Sequence, residues 1–320
     1  MAVSKKHHFL PRFYLKGFTV EGTNDGRLWL FDQKLRFARP GTPNSLGYQS
    51  NYNRIDVPGL KPDQLESDFG NKVESPMAVV LGDIIASKTL PVCGPDVDIF
   101  LNFVAFSIAR SPVIRNVFAE HIDSTIKRRL REELKTSSRL EVLRNIAQQA
   151  GTSTVEELIE FTESDDYTIS FDQTSVVGST LIFHEHFLNA AANRHWNLWF
   201  VDDRCPDLVC SDLAVGLFQW RLPNLCPPIY APKDWFNDEC FLILPLNRRM
   251  AAVGAIQGTP RERILNTAQV GVLNMHIGNF ARQVFSSAPE YVIWQGDKLC
   301  KADASKWMKK PTPQSEFRQS

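Results

Sequence analysis

Residues 5–18, KKHHFLPRFYLKGF, crowd His7, His8, Arg12 and Tyr14 between the aromatic anchors Phe9, Phe13 and Phe18. Neutral imidazoles can move protons or ligate a metal, and a guanidinium can hold a phosphate or carboxylate. On a strand, consecutive histidines point to opposite faces, so at most one of the pair faces a given site unless the backbone turns. The aromatics predict that the segment is packed, with Phe9, Phe13, Tyr14 and Phe18 buried. A buried imidazole then needs a partner. A hydrogen-bonded core histidine and an exposed pair on a frayed terminus are the bland alternatives.

With Glu66, Arg110 and Asp212 farther along, these types suit a metal-dependent phosphodiesterase: carboxylate and imidazole hold Mg²⁺ or Mn²⁺ while arginine neutralises phosphate. In that reading His7, His8 and Asp212 are catalytic. Arg12, Tyr14 and Arg110 bind substrate, and Glu66 with Asp212 holds the metal. The substrate is nucleic acid or a nucleotide, and the protein a nuclease-like toxin or defence effector. The alternative is a non-catalytic binding or structural module in which HHFLPRFYL is a clasp. Convergence of His7 or His8 with Arg110 and Asp212, where the N-terminal hairpin meets the C-terminal strands, is the geometric expectation.

Other chemistries fit less well. His184-Glu185-His186 falls on a predicted helix, where positions i and i+2 diverge and cannot share one ion. The chain lacks GxSxG, GxxxxGK[ST] and GxGxxG. Its six cysteines show no CxxC pair, as expected for free thiols in a reducing compartment. Trp196, Trp199, Trp220, Tyr230 and Trp235 could stack bases, but such rings are more often core.

The elements that must position these residues read as α+β. RLWLFD at 27–32 alternates like a strand after the turn Thr23–Gly26, with a hairpin partner near residues 36–38, and 46–53 is extended. Residues 61–88 read as a helix divided or kinked at Pro76. Asp96–Arg110 is apolar on nearly every side, which places it mid-core, with Arg110 emerging opposite a carboxylate or phosphate. Further helices are expected at 113–135, 138–150, 154–163 and 174–193, and a long one at 259–287. Short strands are expected at 197–201, 208–210, 241–245, 250–253 and 291–294. The expectation is a mainly helical single domain, residues 1–300, around a central buried helix. A small, mostly antiparallel sheet joins the N-terminal hairpin to C-terminal strands. Residues 301–320 are expected to form a flexible tail.

The order of several short motifs resembles a prokaryotic family described as a domain of unknown function, DUF 4238. Its HHxxPxxYLxxF signature is matched by His7, His8, Pro11, Tyr14, Leu15 and Phe18. LWLFD at 28–32, Tyr52, QLESDFGNKVES at 64–75 and Arg110-Ser111-Pro112 resemble its following segments. Trp196 with LWFVDD, Ser211-Asp212 and Pro245-Leu246 resemble its C-terminal region. Where the family pattern has Ser-Asp-x-Pro, this chain has Ser211-Asp212-Leu213-Ala214. The resemblance supplies positions and no chemistry.

Composition sets outer bounds. The 320 residues carry 36 Lys+Arg against 36 Asp+Glu, with 43% hydrophobic and 11% aromatic residues, which excludes a disordered tail protein or a small disulfide scaffold. The charge is unevenly spread: the first twenty residues hold four bases and no acid, and residues 154–172 seven acids and no Lys or Arg. The opening has no apolar stretch of signal-peptide type, and FLNFVAFSIA is too short to span a bilayer. A cytoplasmic protein without a membrane partner is expected; oligomeric state is left open.

Overall fold

A computed structural model describes residues 5–134, 155–164, 166–219, 240–256, 261–296 and 298–307. The architecture is α+β. Strand β1 (Lys6–His8) pairs antiparallel with β4 (Tyr48–Ser50), setting His8 opposite Tyr48. Pro11 then starts a short helix α1 (Arg12–Leu15) and a 3-10 turn (Lys16–Phe18). The carbonyl of Gly47 accepts the amides of Phe9 and Leu10, at 3.0 and 3.2 Å. Gly47 has φ +67°, and a Cβ there would lie 2.7 Å from Leu15 Cδ1, so only glycine fits this crossing. As expected, Phe9, Tyr14 and Phe18 are buried, and Phe13 packs partly buried against them.

The hairpin β2 (Leu28–Asp32) and β3 (Phe37–Gly41) is followed by α2 (Gln64–Phe69), a π-turn (Gly70–Glu74) and α3 (Ser75–Ser87). The helix expected over 61–88 is divided next to Pro76, which falls in the first turn of α3, where a missing amide is tolerated. Helix α4 (Pro95–Ala109) is the central buried helix: Phe103, Val104, Ala105 and Ile108 have no exposed surface. Helix α5 (Pro112–Leu134) leaves it at Pro112, α6 covers Val155–Ser164, and α7 (Gln173–Ala192) packs along α4. Asp172 caps α7 by accepting the Ser175 amide at 3.0 Å. The helix expected at 138–150 lies outside the described residues, as do Trp220, Tyr230 and Trp235.

The later strands are β5 (His195–Val201), β6 (Cys210–Ser211), β7 (Gly216–Gln219), β8 (Cys240–Asn247), β9 (Met250–Ala255) and β10 (Arg263–Leu265). They form a five-stranded sheet in the order β10-β5-β9-β8-β7, parallel only between β10 and β5, with β6 outside it. The helix expected at 259–287 is shorter: β10 precedes α8 (Thr267–Asn279), and β11 (Gln283–Ser286) follows. Its start is fixed by a capping box, Asn266 with Gln269. Strand β11 lies between β2 and β6 in the sheet β3-β2-β11-β6, which joins the N-terminal hairpin to the C-terminal half.

The hairpin β12 (Glu290–Gln295) and β13 (Lys298–Asp303) leads into a short helix α9 (Ala304–Trp307). Residues 301–307, expected in a flexible tail, belong to β13 and α9, and 308–320 lie outside the described residues. Trp307 is buried edge-on against Phe31, under the Arg36 guanidinium, and holds this segment to the sheet. Among the described residues no single helix is long and apolar enough to cross a membrane.

Candidate anion-binding site

Strand alternation separates the two histidines as expected. His7 is fully buried, and its Nδ1 accepts the Asn53 amide at 2.8 Å. His8 is half-buried and tilts toward the Tyr48 ring, 5.6 Å between centroids. Its Nε2 is inaccessible and has no hydrogen-bond partner. Burial lowers the His8 pKa to about 4, and the positive charges of Arg12, Arg110 and Lys6 reinforce the shift. The ring is therefore neutral at physiological pH.

Arg110 closes α4 and has no exposed surface. Its Nη1 donates to Glu74 Oε1 at 2.6 Å, and its guanidinium lies 4.6 Å from the centroid of the Phe106 ring. The carboxylate expected opposite Arg110 is thus that of Glu74, brought there by the π-turn. Insertions of this kind recur at functional sites. Arg110 Nε and Nη2 are buried without a hydrogen-bond partner. Unmet charged donors in a dry interior cost on the order of 1–3 kcal/mol or more. Two donors of the buried guanidinium thus lack a partner, and its charge is among those that keep the His8 imidazole neutral.

A polar lattice surrounds this pair. Arg115, 6% exposed, donates to Tyr52 O (2.8 Å), Asn53 Oδ1 (2.8 Å) and Thr180 Oγ1 (3.1 Å), with its guanidinium 3.9 Å from the Tyr52 ring centroid. Tyr52 in turn donates its hydroxyl to Arg110 O at 2.8 Å. Glu66 accepts the His8 amide (3.2 Å) and Asn53 Nδ2 (2.7 Å), one on each oxygen. Sequence reasoning passed over Asn53, Glu74 and Arg115. The one signal for Arg115 was a guanidinium following Val113 and Ile114, just after the all-apolar helix.

Asp212 joins the lattice through its backbone alone. Its carbonyl accepts Ser111 Oγ at 2.7 Å, while its carboxylate accepts the Arg282 amide at 3.1 Å. The cause is sheet register: Ser211 pairs with Val284 in β11, and the next residue turns toward the end of β2, where Arg282 also pairs with Asp32 at 3.3 Å. Burial raises the Asp212 pKa to about 7, with Asp32 adding repulsion. The carboxylate therefore makes none of its hydrogen bonds with His7, His8 or Arg110.

The carboxylates of Glu66 and Asp212 have different hydrogen-bond partners, His8 and Asn53 for the first and Arg282 for the second. Among the described residues, no group of three or more His, Cys, Asp or Glu is placed to bind a metal. The cations acting on His8 instead suit an anion. Arg12 is exposed, 3.4 Å from Asn44 Oδ1. The Tyr14 hydroxyl is buried and unpartnered, with its ring against Phe18 and Phe103. His184 and His186 make no common site; His184 packs edge-on to Phe106.

These elements define an α+β protein with a polar lattice under its N-terminal ribbon and, at Arg110, a buried guanidinium with two unpartnered donors. A family model described as a protein of unknown function (DUF4238) matches residues 6–290, and the chain belongs to that family. Neither the curated proteins nor the solved structures compared with it yield a match.

Proposed function

We propose that the chain is a phosphodiester hydrolase acting on nucleic acid or a nucleotide, with the reacting phosphate held at the vacant edge of Arg110. That edge carries the reading: two donors of a fully buried guanidinium lack partners. A phosphate oxygen would satisfy them bidentately. Because His8 Nε2 and the Arg110 guanidinium are buried, the reaction requires the β1–β4 ribbon to part from them; water then attacks phosphorus, the neutral His8 Nε2 takes its proton, and the ester oxygen leaves with a proton from solvent. Lys6, stacked 4.9 Å from the centroid of the Tyr48 ring, and exposed Arg12 both act electrostatically on His8 and suit a polyanion. Mg²⁺ or Mn²⁺ would arrive with the substrate's phosphates, as such ions commonly do. We read such an activity as that of a toxin or defence effector acting in the cytoplasm.

The competing reading is a clasp, favoured by the mutual satisfaction of His7, Asn53, Glu66 and Arg115. Purified protein incubated with DNA, RNA and nucleotides, with and without Mg²⁺ or Mn²⁺, separates the two. Hydrolysis lost in His8→Ala and Arg110→Lys at unchanged fold supports the enzyme. Absence of turnover on every substrate, with both variants merely less stable, establishes the clasp.

A further inference from the structure

We propose that a groove of about 380 Å³ between the 3-10 turn, α3 and the β8–β9 turn binds a single-tailed anionic amphiphile, an alkyl carboxylate or alkyl phosphate. The groove does not depend on the phosphate site proposed above. Its apolar wall is formed by Phe13, Leu81, Leu246 and Ile85. At its mouth Val20 and Ile85 are 60% and 37% exposed, large aliphatic surface that a hydrocarbon tail would cover.

Two glycines shape the space. Gly17 lets the 3-10 turn lie close on β8, since a Cβ there would be 3.1 Å from both Leu246 O and Asn247 Cβ. Gly82 lines the groove from inside α3, and a Cβ there would meet no atom within 4 Å. Glycine is unfavourable inside a helix, and here no close packing requires it. What it leaves is room along the groove.

The head group is specified by charge. Lys16, Arg248 and Arg249 line the groove against a single lining acid, Glu21. Glu21 is occupied by the Arg27 amide at 3.2 Å. Both arginines lean on one carboxylate, Asp207, at 3.2 and 3.0 Å. One acid shared by two guanidiniums leaves a net positive rim for an anionic head, and the tail then runs along Gly82.

Titration calorimetry on the full chain with decanoate and with decyl phosphate tests this, with decanol, acetate and inorganic phosphate as controls. Saturable binding of at least one amphiphile is expected, at least tenfold tighter than any control, and the ratio between the two identifies the head. Gly82→Leu should fill the groove and weaken binding at least tenfold without lowering Tm, because position 82 is exposed and leucine favours helix. Lys16→Glu should weaken it severalfold. No binding of either amphiphile, undiminished binding in Gly82→Leu, or binding to phosphatidylglycerol vesicles in place of the free amphiphiles would overturn the proposal.

Discussion

The backbone amide of Asn53 donates to Nδ1 of His7 at 2.8 Å, in an environment where His7 is 1% exposed. A ring nitrogen that accepts is unprotonated, so the His7 proton sits on Nε2. His7→Ala should strand a buried amide and open a void. The expected loss is about 2–4 kcal/mol, read from urea denaturation, with Asn53 protection in hydrogen exchange falling in parallel. Unchanged stability would mean that His7 is not part of the clasp.

Glu74 and Arg110 should be energetically coupled. Glu74→Gln removes the carboxylate paired with a fully buried guanidinium and should cost roughly 1–3 kcal/mol. In a double-mutant cycle with Arg110→Met, the double variant should be more stable than the sum of the singles predicts. Millimolar inorganic phosphate should raise the Tm of Glu74→Gln more than that of the parent chain. An equal rise in both would argue against an anion at Arg110.

Asp212 and His8 should leave opposite signatures in stability against pH. The Asp212 carboxyl titrates near 7 in the fold and near 3.9 when unfolded, so the native state keeps a proton that the unfolded chain releases. Its contribution is full below about 4 and is lost as pH rises to 7. Subtracting the Asp212→Asn curve, a variant that preserves the acceptor for Arg282, should expose that decline. His8, at about 4 in the fold, runs the other way: stability is full above about 6.5 and falls as pH drops toward 4. His8→Gln should flatten that acid limb.

Two glycine-to-alanine changes should differ in sign. Gly254 in β9 pairs with Trp196, and a Cβ would stand 2.8 Å from the indole, so Gly254→Ala should cost about 1–3 kcal/mol. Gly82→Ala meets open space on an exposed helical face and should stabilise by about 0.5–1 kcal/mol. Thermal unfolding of the two variants is sufficient to check this.

Residue type was enough where burial is all-round or alternation strict. The apolar circumference of α4 marked the centre, and adjacent histidines had to part on a strand. A guanidinium at the end of such a helix required a carboxylate, though nothing local indicated that a π-turn would deliver Glu74 rather than Glu66. Strand β11 was hidden because Val284 and Phe285 continue the apolar spacing of α8. The cap at Asn266 and the short reach of QVFS become decisive only when β2 and β6 are there to be paired. The Asp212 carboxylate went elsewhere for the same reason: a two-residue strand takes its facing from its neighbour's register.

The pairing of β11 with β2 also governs when the protein can fold. Asp32 and Gln283 face each other in register, with 250 residues of chain between them. At ribosomal rates of about 5–20 residues per second, the N-terminal hairpin waits roughly 10–50 s for that partner. During this interval the ladder edge of β2 that β11 will take is unpaired, and Phe31 and Leu30 lack their eventual cover. Closure across so long a loop is slow, and it comes after the helices have had time to assemble. Nascent chains that end before Ser286, the last residue of β11, should therefore be the aggregation-prone species, and holdase chaperones should engage them through the hairpin.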